Sequence, residues 1–179
     1  FAQLQARHPA LRTVFEDDGE QVRQRVIDDL PLAFSEVSLR HLAADARETQ
    51  LAQQMAEEAR QGFDLATGPL LRVRLVRLAA DEQVLLLTLH HIIADGASVK
   101  LLLDEFATCY RARLDGAVAH LPALAIQYAD FAVWQRQWLA SGECERQLAH
   151  WRQHLGREHP LLELPLDHPR PAQQSFSGD

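Results

Sequence analysis

The sequence predicts an α+β fold, an α/β two-layer sandwich in which a mixed sheet is packed by helices. Three observations predict it. The turn Asp17-Asp18-Gly19 separates two short strand patterns and is typical of a β-hairpin. Residues 84–89 are almost wholly apolar, which predicts a central strand buried on both faces. After Gly96 the apolar residues follow helical spacing, as in an amphipathic helix.

Strand patterns recur along the first half of the chain. Residues 69–78 mostly alternate leucine or valine with arginine, which predicts a half-exposed strand. Asp81-Glu82 lies between this segment and residues 84–89 and predicts a second hairpin. Further strands are predicted at residues 11–16, 21–27 and 34–39.

Helical patterns fill most of the remaining chain. Residues 45–60 are rich in Ala, Glu and Gln with a thin apolar face, so we expect a surface helix with its acidic residues, through Glu58, in solvent. The helix that follows Gly96 is expected to end near Gly116. Other helices are predicted at residues 1–6, 128–139 and 143–155, with the last two separated at Ser141-Gly142.

The composition narrows the classes of function. The formal net charge of −7 argues against nucleic acid as a partner, because phosphate binding needs a basic surface. No apolar run is long enough to span a membrane, and two cysteines do not make a disulfide framework, so we expect a cytoplasmic protein. The chain begins at Phe1 and its one methionine is Met55, so we expect a fragment of a longer chain.

The run His90-His91-Ile92-Ile93-Ala94-Asp95-Gly96 is the strongest candidate for a site. It joins the end of a buried strand to the start of a helix, where α/β sheets tend to bind ligands. Adjacent side chains on an extended backbone point to opposite faces, so one histidine faces a pocket while the other anchors the loop. Gly96 allows a sharp turn or close approach to a substrate, and Asp95 is placed to hold an arginine. A metal site is not favoured, because no cysteine or third histidine lies at ligand spacing.

This run, with two further segments in the same order, resembles the condensation domains of non-ribosomal peptide synthetases. Residues 7–15, Arg-His-Pro-Ala-Leu-Arg-Thr-Val-Phe, are similar to a family motif that often has Glu at the position of Pro9. Residues 128–134, Tyr-Ala-Asp-Phe-Ala-Val-Trp, are similar to another. The resemblance implies a chloramphenicol acetyltransferase-like lobe. Residues 1–164 would be the N-terminal lobe, truncated at its start, and the proline-containing residues 165–179 an extended connector towards a C-terminal lobe.

The resemblance also implies a reaction. The amine of an acceptor aminoacyl thioester attacks a donor thioester, and both arrive on phosphopantetheine arms of carrier proteins, so the domain itself binds no cofactor or metal. The implied partners are an upstream donor and a downstream acceptor carrier protein, the C-terminal lobe and an adjacent adenylation domain, with no nucleic acid and no membrane. A fragment without the second lobe is expected to be inactive alone.

Roles for individual residues follow from the same resemblance. His91 is expected to act as a base or as a hydrogen-bonding positioner, beside His90, and the Gly96 amide to donate to an oxyanion. Asp95 is expected to be structural, paired with Arg7 or Arg12, although these arginines could also be surface charges. Tyr128, Asp130 and Trp134 are possible supports of the site; for Tyr128 and Trp134 core packing is favoured over substrate contact, and for Asp130 a local cap.

Four other functions remain open. An epimerization domain shares the histidine motif but usually has an aromatic residue where Val99 stands, and a heterocyclization domain replaces the first histidine with Asp, unlike His90. His90 and Asp95 also fit the His-x-x-x-x-Asp pattern of glycerolipid acyltransferases, without a membrane-binding stretch to support it. A condensation-like domain can also act as a non-catalytic docking module.

Overall fold

The computed structural model describes residues 1–156, 164–167, 169 and 172–173. The chain divides into two units, Phe1–Val133 and Trp134–Asp179. Most of the predicted connector, residues 165–179, lies outside the described residues.

The first unit carries the β-structure and the longest helices. Its elements are α1 (Ala2–Arg7), a 3-10 helix (Pro9–Arg12), β1 (Thr13–Asp17), β2 (Val22–Val26), β3 (Ala33–Ser38), α2 (Ala44–Arg60), β4 (Leu71–Arg77), β5 (Gln83–Leu89) and α3 (Gly96–Leu114). Helix α4 (Tyr128–Trp138) begins in this unit and ends in the second. These bounds confirm the predicted mixture of hairpins and helices.

Two separate sheets form in the described residues. Strands β1 and β2 make an antiparallel hairpin, closed by a turn in which Gly19 has φ +85°. This is the left-handed region that favours glycine. The other sheet has the order β3-β4-β5, with β3 parallel to β4 and β4 antiparallel to β5. The mixed sheet and both predicted hairpins are therefore confirmed.

The prediction that residues 84–89 form the central strand is wrong for this chain. The middle strand is β4, which buries Leu71, Val73 and Val76, whereas β5 lies at the end of the order with its residues 84–89 only half-buried. The arginines that alternate along β4 do not mark a solvent face, because two of them pair with a buried carboxylate. Alternation was therefore a misleading guide to exposure.

That carboxylate is Glu58, near the end of α2, whose side chain is 6% exposed rather than solvated as predicted. Arg72 donates from Nε to Glu58 Oε1 at 2.6 Å, and Arg74 lies 3.2 Å from Oε2. Burial alone raises the pKa of Glu58, but the Arg72 hydrogen bond and the charges of both arginines outweigh it, with help from Thr88 on β5, and the pKa lies below its usual value. The ion pair thus joins α2 to the sheet.

Two apolar clusters form the core. Leu4, Leu11, Leu71, Val73 and Leu102 join α1, the 3-10 helix, β4 and α3 on one face of the sheet. Leu39, Val76 and Leu78 form the other cluster, with Leu51 of α2 packed against it. Helices therefore cover both clusters. The loop between β5 and α3 packs against the first cluster.

Residues 134–155 of the second unit are helical. A π-type turn, Leu139–Glu143, follows α4 and leads to α5 (Cys144–Leu155). Gly142 has φ +99° inside this turn, which explains why the helices separate at the predicted Ser141-Gly142.

We predict that Glu58→Ala lowers the free energy of unfolding by about 2 kcal/mol. Removing one partner of a buried pair leaves the others unpaired, and the 14% and 22% exposure of Arg72 and Arg74 lets water screen part of the loss. Urea unfolding followed by circular dichroism measures it. Glu57→Ala, on the exposed face of the same helix, is the matched control and should change stability by less than about 0.5 kcal/mol.

The same pair predicts a pH dependence. Because the folded pKa of Glu58 is lowered, its contribution is complete above the unfolded-state pKa of about 4.3 and is lost as the pH falls through the folded value. Glu58→Gln should remove this part of the acid destabilisation. Parallel pH–stability curves for the two proteins below pH 5 would contradict the role of the pair.

Candidate active site

The loop from His90 to Asp95 connects β5 to α3, as predicted. The His90 amide donates to the Leu70 carbonyl at 3.0 Å, which continues the pairing of β4 and β5 by one residue. The Ile93 amide then donates to the His90 carbonyl at 3.1 Å and closes a turn. The loop is therefore held by the sheet on one side and by its own turn on the other.

The two histidines have different surroundings. His90 is half-buried, and its Nδ1 accepts from the Ile92 amide at 3.1 Å. An accepting Nδ1 carries no proton, so the geometry places the proton of the neutral ring on Nε2. His91 is exposed and lines a cavity of about 130 Å³. The ring that lines the cavity is thus the second of the two.

The cavity is formed by several elements of the first unit. Its walls mix polar and apolar side chains from the 90–95 loop, the β1–β2 hairpin, the start of α3 and the start of α4: among them Thr13, Phe15, Gln24, His91, Asp95, Ser98 and Tyr128. A second, more apolar cavity of about 150 Å³ adjoins it and shares Ala10, Ile93, Ala94, Ser98 and Tyr128 with it. Such a cleft can hold a polar reacting group beside an imidazole with apolar surface nearby.

Asp95 does not pair with an arginine among the described residues, which corrects that prediction. It is the N-cap of α3: its Oδ1 accepts from the Ser98 amide at 2.8 Å and from the Ser98 hydroxyl at 2.7 Å. The hydroxyl hydrogen bond, then the amide, lower the pKa of Asp95, and the charge of His91 adds to the effect. These two hydrogen bonds within the first helical turn outcompete a distant guanidinium. These contacts of Asp95 are therefore with the start of α3 rather than with an arginine.

Arg7 and Arg12 have other partners. Arg7 Nε donates to the buried Glu105 of α3 at 3.0 Å, and His8 Nε2 lies 2.6 Å from the same carboxylate. Arg12 donates to the carbonyls of Gln5 and Ile27 and so ties α1 to the end of β2. Both arginines are partly buried braces rather than surface charges.

Gly96 is the first residue of α3, and its amide is one of the helix-start donors without an intrahelical acceptor. It is not among the residues that line the His91 cavity. Its φ is not positive, and an added Cβ would meet nothing within 4 Å, so the described fold does not itself demand glycine here.

The α4 residues are placed differently from the prediction. Tyr128 is 57% exposed and lines both cavities, and Trp134 is 53% exposed and stacks on Trp138, so core packing is wrong for both in this chain. Asp130 is a local cap, as predicted: its Oδ2 accepts from the Gln127 amide at 2.8 Å.

The sequence patterns did not predict the contacts of Glu105, His8 or Phe63. The signal for Glu105 was its position on the apolar face of α3, between Leu102 and Phe106, because a carboxylate there needs a buried partner. Phe63 stands outside any periodic pattern, and nothing in the sequence links it to His90.

Two classes of site are absent where the structure can be described. No group of three or more His, Cys, Asp or Glu residues in that part of the chain is arranged to hold a metal ion. None of the helices described there combines the length and the apolar character needed to cross a membrane.

Comparison with known sequences gives consistent matches. The family model described as "Condensation domain" matches residues 1–179. Malpinin synthetase of Mortierella alpina is 44% identical over 179 residues, which is 100% of this chain and 2% of that protein. Tyrocidine synthase 3 of Brevibacillus parabrevis is 43% identical over 176 residues, 98% of this chain and 2% of that protein. The chain thus spans a very small part of these relatives.

Solved structures show the same fold. The epimerization domain from the third module of tyrocidine synthetase B matches with a TM-score of 0.75 and 28% identity, over 95% of this chain and 38% of that one. The X-domain from teicoplanin biosynthesis, solved with OxyB, matches with a TM-score of 0.78 and 34% identity, over 95% and 37%. The starter condensation domain of rhizomide synthetase has a TM-score of 0.77 at 21% identity, over 87% and 37%, a likeness of fold alone. The predicted fold class is confirmed.

We predict that Asp95→Ala lowers the urea midpoint of unfolding, because the Ser98 amide at the start of α3 loses its acceptor. Asp95→Asn keeps a side-chain oxygen and should retain most of the stability. Asp104→Ala, which removes the same charge from the exposed middle of α3, is the control and should have the smaller effect. Equal midpoints for Asp95→Ala and Asp104→Ala would contradict the capping role.

Proposed function

The chain belongs to the condensation-domain family of non-ribosomal peptide synthetases, and we propose that residues 1–164 form the first lobe of a domain that makes peptide bonds. In this reaction the amine of an acceptor aminoacyl thioester displaces the carrier thiol from a donor acyl thioester. A new C–N bond forms, the C–S bond breaks, and the thiol takes up a proton. The observation that carries the proposal is the exposed imidazole of His91 on a cavity wall at the end of β5.

The substrates explain what the site has to supply. An α-amino group has a pKa of about 7.7–8, so a useful fraction is neutral at physiological pH. The larger needs are to place the amine against the thioester carbonyl and to accept the proton that the amine carries. His91 meets either need, and a fixed loop makes its place reproducible. The mixed polar and apolar lining suits an aminoacyl group.

The start of α3 suits the negative charge that develops on the carbonyl oxygen. The first amides of a helix have no intrahelical acceptor and lie at the positive end of its dipole. We assign the Gly96 amide to this oxyanion, with Asp95 holding the first turn in place through Ser98.

The assembly around the chain is part of the proposal. The substrates arrive on phosphopantetheine arms of an upstream donor and a downstream acceptor carrier protein, so the lobe needs no resident cofactor. A second lobe closes the cleft, an adenylation domain supplies activated substrate, and the whole enzyme works in the cytoplasm. The synthetases among the relatives support this arrangement.

Epimerization is the second candidate, because an epimerization domain is one of the solved structures with this fold. That reaction also needs a base beside an aminoacyl thioester, but it inverts one carbon and joins nothing. Val99 after Ser98, where epimerization domains usually have an aromatic residue, favours condensation. Chiral analysis of the product separates the two reactions.

We predict that His91→Ala in the intact domain slows dipeptide formation on loaded carrier proteins by about 10²–10⁴-fold, because the variant has no imidazole to act on the reacting amine. Single-turnover assays by mass spectrometry measure the rate. His91→Asn and His91→Gln distinguish the two roles, because an amide can hydrogen-bond but cannot act as a base. Near-normal rates indicate a hydrogen-bonding positioner, and losses as large as for Ala indicate a base.

The control is His41→Ala, an exposed histidine in the loop before α2, which should leave the rate unchanged. Stability should be the same for His41→Ala and His91→Ala, because both side chains are exposed. Unimpaired dipeptide formation by His91→Ala would rule out the assignment.

We predict that Gly96→Ala leaves the stability unchanged or slightly raised, because the added Cβ has open space and alanine favours helix. The rate should nevertheless fall at least about tenfold, because a methyl group beside the amide pushes the oxyanion out of hydrogen-bond range. Thermal unfolding and the single-turnover assay measure the two effects. A normal rate would exclude the Gly96 amide as the oxyanion donor.

A further inference from the structure

His90 is held by an aromatic contact that comes from outside the motif. The ring of Phe63, in the segment between α2 and β4, meets the His90 ring edge-on with centroids 5.9 Å apart and planes at 87°. Edge-to-face pairs of this kind have a preferred geometry because the ring edge is positive and the ring face is negative. Phe63 is half-buried and therefore has limited freedom to move.

Phe63 is in turn held by Arg72. The guanidinium carbon lies 3.9 Å from the centroid of the Phe63 ring, a cation–π contact. Arg72 cannot easily leave this place. Besides its bond to Glu58, it donates to the backbone carbonyls of Gly62 at 3.0 Å and Gln61 at 2.8 Å, which are the two residues before Phe63. The arginine thus fixes both the ring and the backbone that carries it.

We propose that Phe63 and Arg72 are positioning residues for the reaction, acting through His90 on His91. The inference rests on the proposed function of His91. From Glu58 the contacts run through Arg72 and Phe63 to the His90 ring, whose Nδ1 holds the Ile92 amide. His91 lies between the two residues joined by that last hydrogen bond, so its backbone follows the orientation of the His90 ring.

The chain of contacts has a specific chemical requirement. Nδ1 accepts from the Ile92 amide only when the His90 proton is on Nε2, and only in one orientation of the ring. The T-shaped contact with Phe63 therefore holds the His90 ring in an orientation that allows this hydrogen bond. A displacement of about 1 Å at a catalytic group can cost roughly a hundredfold in rate. Loss of the aromatic face should therefore slow the chemistry without removing a substrate contact.

The test is Phe63→Leu in the intact domain. Its kcat for dipeptide formation should fall about 10–100-fold with KM within twofold of wild type. Phe63→Tyr, which keeps the aromatic face, should restore the rate to within about threefold. Phe34→Leu, the same change at an exposed site on β3, is the matched control and should leave kcat unchanged.

Two readouts separate positioning from a general loss of structure. Nitrogen NMR of the imidazoles should show His90 protonated on Nε2 alone in wild type and in Phe63→Tyr, and a mixture of tautomers in Phe63→Leu. In a double-mutant cycle, Phe63→Leu should cost little further rate once His90→Ala is present, because Phe63 acts through that ring. Equal costs in both backgrounds, or an unchanged His90 signal, would overturn the proposal.

Failure of the positioning inference can be distinguished from failure of the proposed function. The His90 signal is measured without substrate, so it tests the contact whatever His91 does. If His91→Ala keeps full activity, the proposed function fails while the His90 signal in Phe63→Leu still changes. If His91→Ala is inactive and Phe63→Leu has wild-type kcat, only the positioning inference fails.

Discussion

A buried carboxylate needs a charged partner, and in this chain Glu58 finds two in the arginines of β4. Its side chain is 6% exposed, and water therefore cannot replace the arginines of β4. Because Glu58 is on α2 and its partners are on the middle strand, the ion pairs fix the position of the helix against the sheet. The same arginine that meets Glu58 also covers Phe63, so an ion pair made for folding extends to the edge of the site.

The site then follows from two contacts with the backbone. The turn brings the His90 ring within reach of the Ile92 amide, so the backbone holds that ring while the His91 ring lines the cavity. The first amides of a helix need hydrogen-bond acceptors, and the Asp95 side chain supplies one at the start of α3. Contacts with the backbone therefore set the places of His90 and Asp95, and the exposed His91 ring lines the cavity. The braces below it, Arg7 and Glu105, hold α1 against α3 rather than touch the loop.

Local patterns predicted most of the elements, because they depend on neighbours in the sequence. The Asp-Asp-Gly turn, the helix that begins at Gly96 and the break at Gly142 all followed from this logic. The errors arose where distant residues decide the outcome. Arg72 and Arg74 looked exposed because their partner is in another element, and β5 looked central because an apolar run does not state which strands flank it.

For the site, too, local features could be predicted from the sequence and long-range contacts could not. The motif located His90, His91 and Asp95 and separated the two ring directions, but its arginine partner was wrong, because an N-cap available three residues away competes with any tertiary ion pair. The contact between Phe63 and His90 could not be predicted. A single aromatic residue outside a periodic segment carries no information about which ring it will meet, and its role depends on Arg72 as much as on itself.

The order of pairing in the larger sheet has a consequence for how this chain folds. Strands β4 and β5 are joined by the short turn at residues 78–82, whereas β3 reaches β4 in parallel only after α2 has crossed over. Closing the longer loop costs roughly 1.5–2 kcal/mol more chain entropy, so the hairpin is expected to form first. The backbone that leads into His90 is then expected to form early, before Glu58 of α2 reaches Arg72.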